Sequence, residues 1–128
     1  MRVIFTILAL GMILSCSQHT QESKESNEER ILIQNYYWAK EGKIEEVYQH
    51  RLYASQVRQE LGLAVGRVLK RTTNDGELPN VIWECEYESE EARQEDIRKL
   101  GESGAFDAVQ EKMSTLIDKF DRGMYRIN

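Results

Sequence analysis

His50 is the one histidine in the stretch of this chain that can fold; the other, His19, lies in a polar N-terminal segment. An imidazole titrates near neutrality, so His50 is the candidate general base. Helix histidines are more often packed, with the ring bonded to a backbone or side-chain oxygen, and no second catalytic group is fixed beside His50 by spacing. Glu84, Glu86 and Glu88 alternate and so share a strand face, where carboxylates could hold a hard cation such as calcium. No Asp/Asn/Gly loop of metal-binding spacing accompanies them, and no metal site is expected. Arg67 and Arg71, on the neighbouring strand, are natural cross-strand partners for these acids. Arg51 and Arg58 stack on one side of a helix and could receive an anionic ligand, although arginines so placed more often pair with surface acids. Tyr36, Trp38, Tyr48, Tyr53 and Trp83 could line an aromatic pocket; in a chain this small aromatics are more often core. The sequence contains no Ser-His-Asp order, Gly-rich phosphate loop, Cys-pair zinc motif or HExxH.

The elements that must position these residues are readable from periodicity. Ile31 to Ala39 (ILIQNYYWA) is rich in β-branched and aromatic residues and reads as a strand, with Leu32, Tyr36 and Trp38 on one side and Ile31, Ile33 and Tyr37 on the other. After the break at Lys40-Glu41-Gly42-Lys43 a helix is predicted to about Leu61, its buried stripe being Val47, His50, Ala54, Val57 and Leu61, widened by Ile44, Tyr48 and Leu52. Leu63 to Arg71 reads as a second strand and Val81 to Tyr87 as a third, joined through a turn marked by Asn74-Asp75-Gly76 and the lone Pro79. In the third strand Val81, Trp83, Cys85 and Tyr87 face one way and Ile82, Glu84, Glu86 the other. Ser89 can cap a second helical region that Gly101 and Gly104 interrupt, with Ser103 as a fresh cap for a helix from Ala105 to Phe120. Gly123 to Ile127 is a short last strand.

The resulting order, β-α-β-β-α-β, predicts an α+β domain of ferredoxin-like type: a four-stranded antiparallel sheet with its helices on one face. The first strand is apolar on both sides, and two helices cover only one. A second copy of the sheet, packed by two-fold symmetry, is the simplest cover for the other face.

The N-terminus reads separately. A basic start, Met1-Arg2, precedes an almost wholly apolar run from Val3 to Leu14 that is shorter than the ~20 residues of a bilayer span. It ends at Ile13-Leu14-Ser15-Cys16, which resembles the lipobox of bacterial lipoproteins. The resemblance implies cleavage after residue 15, lipid on Cys16, and a place in the bacterial cell envelope; Ser17 after the cysteine implies the outer membrane. Ser17 to Glu29 carry no large apolar residue, so 16–30 read as the lipidated cysteine and a flexible tether, leaving 31–128 as one domain. The net charge of −5, without a basic stripe, argues against nucleic-acid binding. With Cys16 lipidated, Cys85 has no partner for a disulfide and reads as a small core residue between two acids.

Within 31–128, the element order, the broken second helix, the run Trp83-Glu84-Cys85-Glu86-Tyr87, then Ser89-Glu90-Glu91-Ala92-Arg93, Phe106 and Phe120 resemble the dimeric α/β-barrel superfamily and its NIPSNAP-type members. The resemblance implies a homodimer with a pocket between sheet and helices in each protomer. Some such proteins are cofactor-free monooxygenases, some bind haem through an axial histidine, and many have no known activity; fold alone does not carry function. The leading expectation is a binding or interaction module without a cofactor. The alternative is a cofactor-independent monooxygenase or isomerase-like enzyme for a small aromatic or apolar molecule. That enzyme would use His50 as base, with Tyr36, Trp38, Tyr53, Trp83, Arg51, Arg67 and Glu84 around the pocket.

Overall fold

The computed structural model describes residues 29–73 and 75–128. The signal segment and Cys16 lie outside the described residues. The elements run β1 (Ile31–Ala39), α1 (Ile44–Glu60), β2 (Arg67–Lys70), β3 (Val81–Tyr87), α2 (Glu90–Ser103), α3 (Asp107–Leu116) and β4 (Ile117–Arg126). The four strands form one antiparallel sheet in the order β2-β3-β1-β4, the ferredoxin-like arrangement. β1 is central and twice paired, opposite Tyr87 to Val81 on one edge and Arg126 to Ile117 on the other.

Strict alternation in β1 and β3 decides what each face carries. Ile31, Ile33, Asn35 and Tyr37 turn toward the helices and are buried, as are Val81, Trp83, Cys85 and Tyr87. With Val47 of α1 and Met113 and Leu116 of α3 they make the main core. A smaller cluster, Ala54, Val57 and Val109, seals the α1–α3 seam. Leu32, Gln34, Tyr36 and Trp38 turn to the opposite face and are half-buried, sheltered by neighbouring strands. Trp38 also donates its indole N–H to the Glu77 carbonyl at 3.1 Å.

Ser89 caps α2 as expected, its hydroxyl accepting from the Ala92 N–H at 3.0 Å, with Glu90 and Glu91 in the first turn favoured by the helix dipole. Three expectations need correction. Gly101 sits inside α2; the break falls at Gly104, whose left-handed φ of 66° ends the helix, and Phe106 rather than Ser103 stands at the start of α3. The helix stops at Leu116, because Ile117 to Phe120 are extended and pair with β1, so β4 is ten residues long rather than a short tail. β2 is shorter than Leu63 to Arg71: Leu63–Gly66 forms a connector that crosses close over β3. There a Cβ at Gly66, which has φ +66°, would strike the Glu84 carbonyl and stand 2.8 Å from the Trp83 Nε1.

Candidate functional site

α1 is the element that builds the site, and the two arginines that carry it, Arg51 and Arg58, lie outside its apolar stripe. Arg51, Ala54, Ser55 and Arg58 follow i, i+3, i+4, i+7 spacing, and all four are buried, whereas Leu61 is exposed. This stripe lies over Trp83. The Arg51 and Arg58 guanidinium carbons stand 4.9 and 4.8 Å from the indole centroid. The Trp83 N–H is held by the Val65 carbonyl at 2.9 Å, so the ring is fixed by the same connector that Gly66 brings close.

Between this stripe, the sheet, α2 and α3 lies a cavity of about 450 Å³. Arg51, Arg58, Trp83 and Tyr37 form its floor, and exposed Ile97 and Phe120 stand on its rim. Its lining holds aromatic and aliphatic side chains, amides and arginines, but no carboxylate, histidine or thiol.

The arginines differ in what neutralises them. Arg58 donates to Asp96 Oδ2 at 2.8 Å and to the Ala64 carbonyl at 3.1 Å. Asp96 is fully engaged, accepting also from the Ala64 N–H and the Tyr87 hydroxyl. Burial pushes the Tyr87 hydroxyl well above the ordinary phenol range, which keeps it a donor. Arg93 pairs with Glu90 at 2.8 Å, and Arg122 donates to Asn35 Oδ1 at 2.7 Å. Arg51, only 3% exposed, makes no hydrogen bond or ion pair with the described residues, and its Nε is buried without an acceptor. Burial lowers its pKa to about 10, which leaves it charged at neutral pH.

The other sequence candidates fall elsewhere. His50 is buried in the α1–α3 seam, its Nε2 2.8 Å from the Val109 carbonyl, stacked on the exposed Tyr53 ring at 6.0 Å. Both line a separate groove with Lys112 and Ala108, not the cavity. Tyr36 and Trp38 occupy the opposite face of the sheet from Trp83. The picture of one pocket gathering His50, Tyr36, Trp38, Tyr53 and Trp83 is therefore corrected: of the aromatics named for it, Trp83 alone lines the cavity, joined by Tyr37, Tyr87, Phe106 and Phe120. Arg67 and Glu84 also lie on the open face. There Arg67 pairs with Glu84, which is 6% exposed and accepts from Gln34 Nε2 at 2.6 Å. Tyr36 donates to Gln34 Oε1 at 2.8 Å, so the Tyr125 hydroxyl donates to Tyr36. A polar ladder thus crosses the sheet from β2 to β4. Arg71 instead bonds the Pro79 carbonyl. Cys85 is buried, and burial raises its thiol pKa. No cluster of three metal-ligating side chains occurs among the described residues, and no helix there is long and apolar enough to cross a membrane.

The sequence matches no protein-family model and no curated protein. Solved structures do match. A NIPSNAP family protein from Agrobacterium tumefaciens is 25% identical, with a TM-score of 0.61 over 79% of this chain and 88% of the other. A dimeric ferredoxin-like protein from an uncultured marine organism has a TM-score of 0.56 at 12% identity, covering 79% and 89% of the two chains. A dabb family protein with a ferredoxin-like fold from Mesorhizobium loti has a TM-score of 0.52 at 13% identity, covering 77% and 96%. The chain therefore has the ferredoxin-like fold and is similar to NIPSNAP family proteins.

Proposed function

We propose that this protein is a homodimeric binding module, lipid-tethered at Cys16 in the bacterial envelope, whose cavity receives a small, largely apolar or aromatic molecule. The observation that carries the binding role is the cavity itself. Its roughly 450 Å³ lies in the range of small-molecule sites, and its floor is prefixed by Trp83 between two arginines. Dimerisation is supported by the open face, where Tyr36, Trp38, Ile82, Leu69 and Tyr125 stand around the polar ladder, and by solved relatives described as dimeric. The lipid tether rests on Ile13-Leu14-Ser15-Cys16.

The binding reading of this cavity makes no use of His50, which lines a separate groove with its Nε2 against the Val109 carbonyl. Binding is tested by titrating the full chain with N-phenyl-1-naphthylamine, a neutral aromatic whose fluorescence rises in apolar sites. Saturable enhancement at one site per chain supports the reading; no enhancement overturns it. The tether is tested by palmitate labelling in cells. Label on the wild type that disappears in Cys16→Ser supports it, and an unlabelled wild type refutes it.

A further inference from the structure

We propose that the cavity selects an organic monoanion, a carboxylate on a compact apolar or aromatic body, with Arg51 as its counter-charge. This deepens the binding reading above and rests on it.

Four arginines line the cavity, and no acid does. The acids behind or beside it account for two of them: Asp96 neutralises Arg58, and Glu90 neutralises Arg93. Arg122 sits in solvent at the mouth, held by Asn35 and lying 5.5 Å from the Phe120 ring. Arg51 is the exception, being both buried and without an anionic or hydrogen-bonding partner among the described residues. Two guanidinium groups lie against Trp83, but a single carboxylate, that of Asp96 behind the floor, meets them. A buried cation without a counter-ion is strongly unfavourable, and arginine does not escape by shedding its proton at neutral pH. A ring quadrupole offsets part of that cost. A carboxylate offsets far more, because it matches the guanidinium fork with two parallel hydrogen bonds.

The size of the surplus sets the charge of the ligand. One unneutralised guanidinium in the floor suits one negative charge; a dianion such as a phosphate monoester would bring a second with no buried cation to meet it. The remaining walls set the body. Ile97, Leu100, Phe106, Met113 and Phe120 offer apolar surface, which excludes a strongly hydrated sugar or peptide chain. A cation would meet Arg51 directly and be repelled, and a neutral molecule of the same shape would leave it uncompensated.

The test compares 1-naphthoate with 1-naphthamide, isosteric probes that differ in charge, by calorimetry on the full chain. Naphthoate is expected to bind at least about tenfold more tightly, the equivalent of about 1.4 kcal/mol. Arg51→Met removes that preference while keeping the amide's affinity, Arg51→Lys restores part of it, and Arg122→Gln leaves it intact. Equal affinities in the wild type, or a preference that survives Arg51→Met or vanishes in Arg122→Gln, overturn the assignment to Arg51. Should Arg51→Met fail to fold, the wild-type pair and Arg122→Gln still decide. Binding of both probes alike refutes the anion alone and keeps the cavity as a binding site, whereas binding of neither refutes both.

Discussion

The two faces of the same sheet bury ions in opposite ways. On the open face Glu84 is nearly inaccessible and fully satisfied, receiving Arg67 and Gln34, with Tyr36 and Tyr125 continuing the chain of bonds. On the helix face Arg51 is as deeply buried and unsatisfied, beside a hollow. A satisfied charge makes a surface that is finished in itself and suits a broad, flat neighbour. An unsatisfied charge next to empty space leaves a role for a molecule that fits the space. Adjacent residues of β3, Trp83 and Glu84, belong to the two regimes.

The contrast can be broken most severely at Asp96. Asp96→Ala leaves Arg58 and Arg51 buried together without an acid, and the expected loss is about 3–5 kcal/mol by urea denaturation, since the surviving charge loses its partner. A loss below about 1 kcal/mol would show that the helix face does not depend on internal charge balance. On the open face, Trp38→Glu places a charge on the proposed dimer surface. The dimer is expected to weaken by about 2 kcal/mol or more, read by sedimentation of the full chain in detergent, while the far-ultraviolet spectrum stays native. An unchanged dimer constant would move the interface elsewhere.

His50→Ala probes a third place, the α1–α3 seam. It removes one buried hydrogen bond to Val109, with an expected cost of about 1 kcal/mol, and leaves naphthoate affinity unchanged because His50 does not line the cavity. Altered naphthoate affinity would join the two sites that the geometry separates.

The smallest effect is alkaline. Desolvation, the largest cause, pushes the Tyr36 hydroxyl from 10.0 up to about 12. The folded state therefore holds this proton more firmly than the unfolded chain. The resulting stabilisation is complete below pH 10 and drains away as pH rises toward 12. Tyr36→Phe should flatten that part of a stability-against-pH curve; an identical slope in the variant would count against the ladder as the source of the shift.

Much of this is legible in the sequence. β3 alternates in residue type, so its two faces follow from the residues alone; Arg67 and Arg71 are both candidates there for its acids, and the register, which puts Arg67 opposite Glu84, comes from the sheet. β4 was misread because Met113, Leu116, Ile117 and Phe120 satisfy helical spacing, while the demand that overrides it, a second hydrogen-bonded edge for β1, is not local in sequence. The site was half visible. Arg51 and Arg58 were recognised as sharing a side, but a stripe drawn from apolar residues ran through His50 and Leu61 and bypassed the arginines. His50 and Arg51 are consecutive, so on a helix they point about 100° apart, toward different hollows. The signal that points to the site is the run Arg51, Ala54, Ser55, Arg58, where two small residues separate two long cations on one side of the helix. The mutual bracketing of Trp83 by two guanidinium groups depends on how α1 crosses β3, and no spacing rule reports that.

The connector over β3 leaves position 66 room for a hydrogen atom and nothing larger. A methyl group there would press on the backbone of one β3 residue and the indole of the one before it. Damage at this spot would thus be felt on both sides of the sheet at once, tilting the cavity floor and loosening the Glu84 anchor with a single carbon.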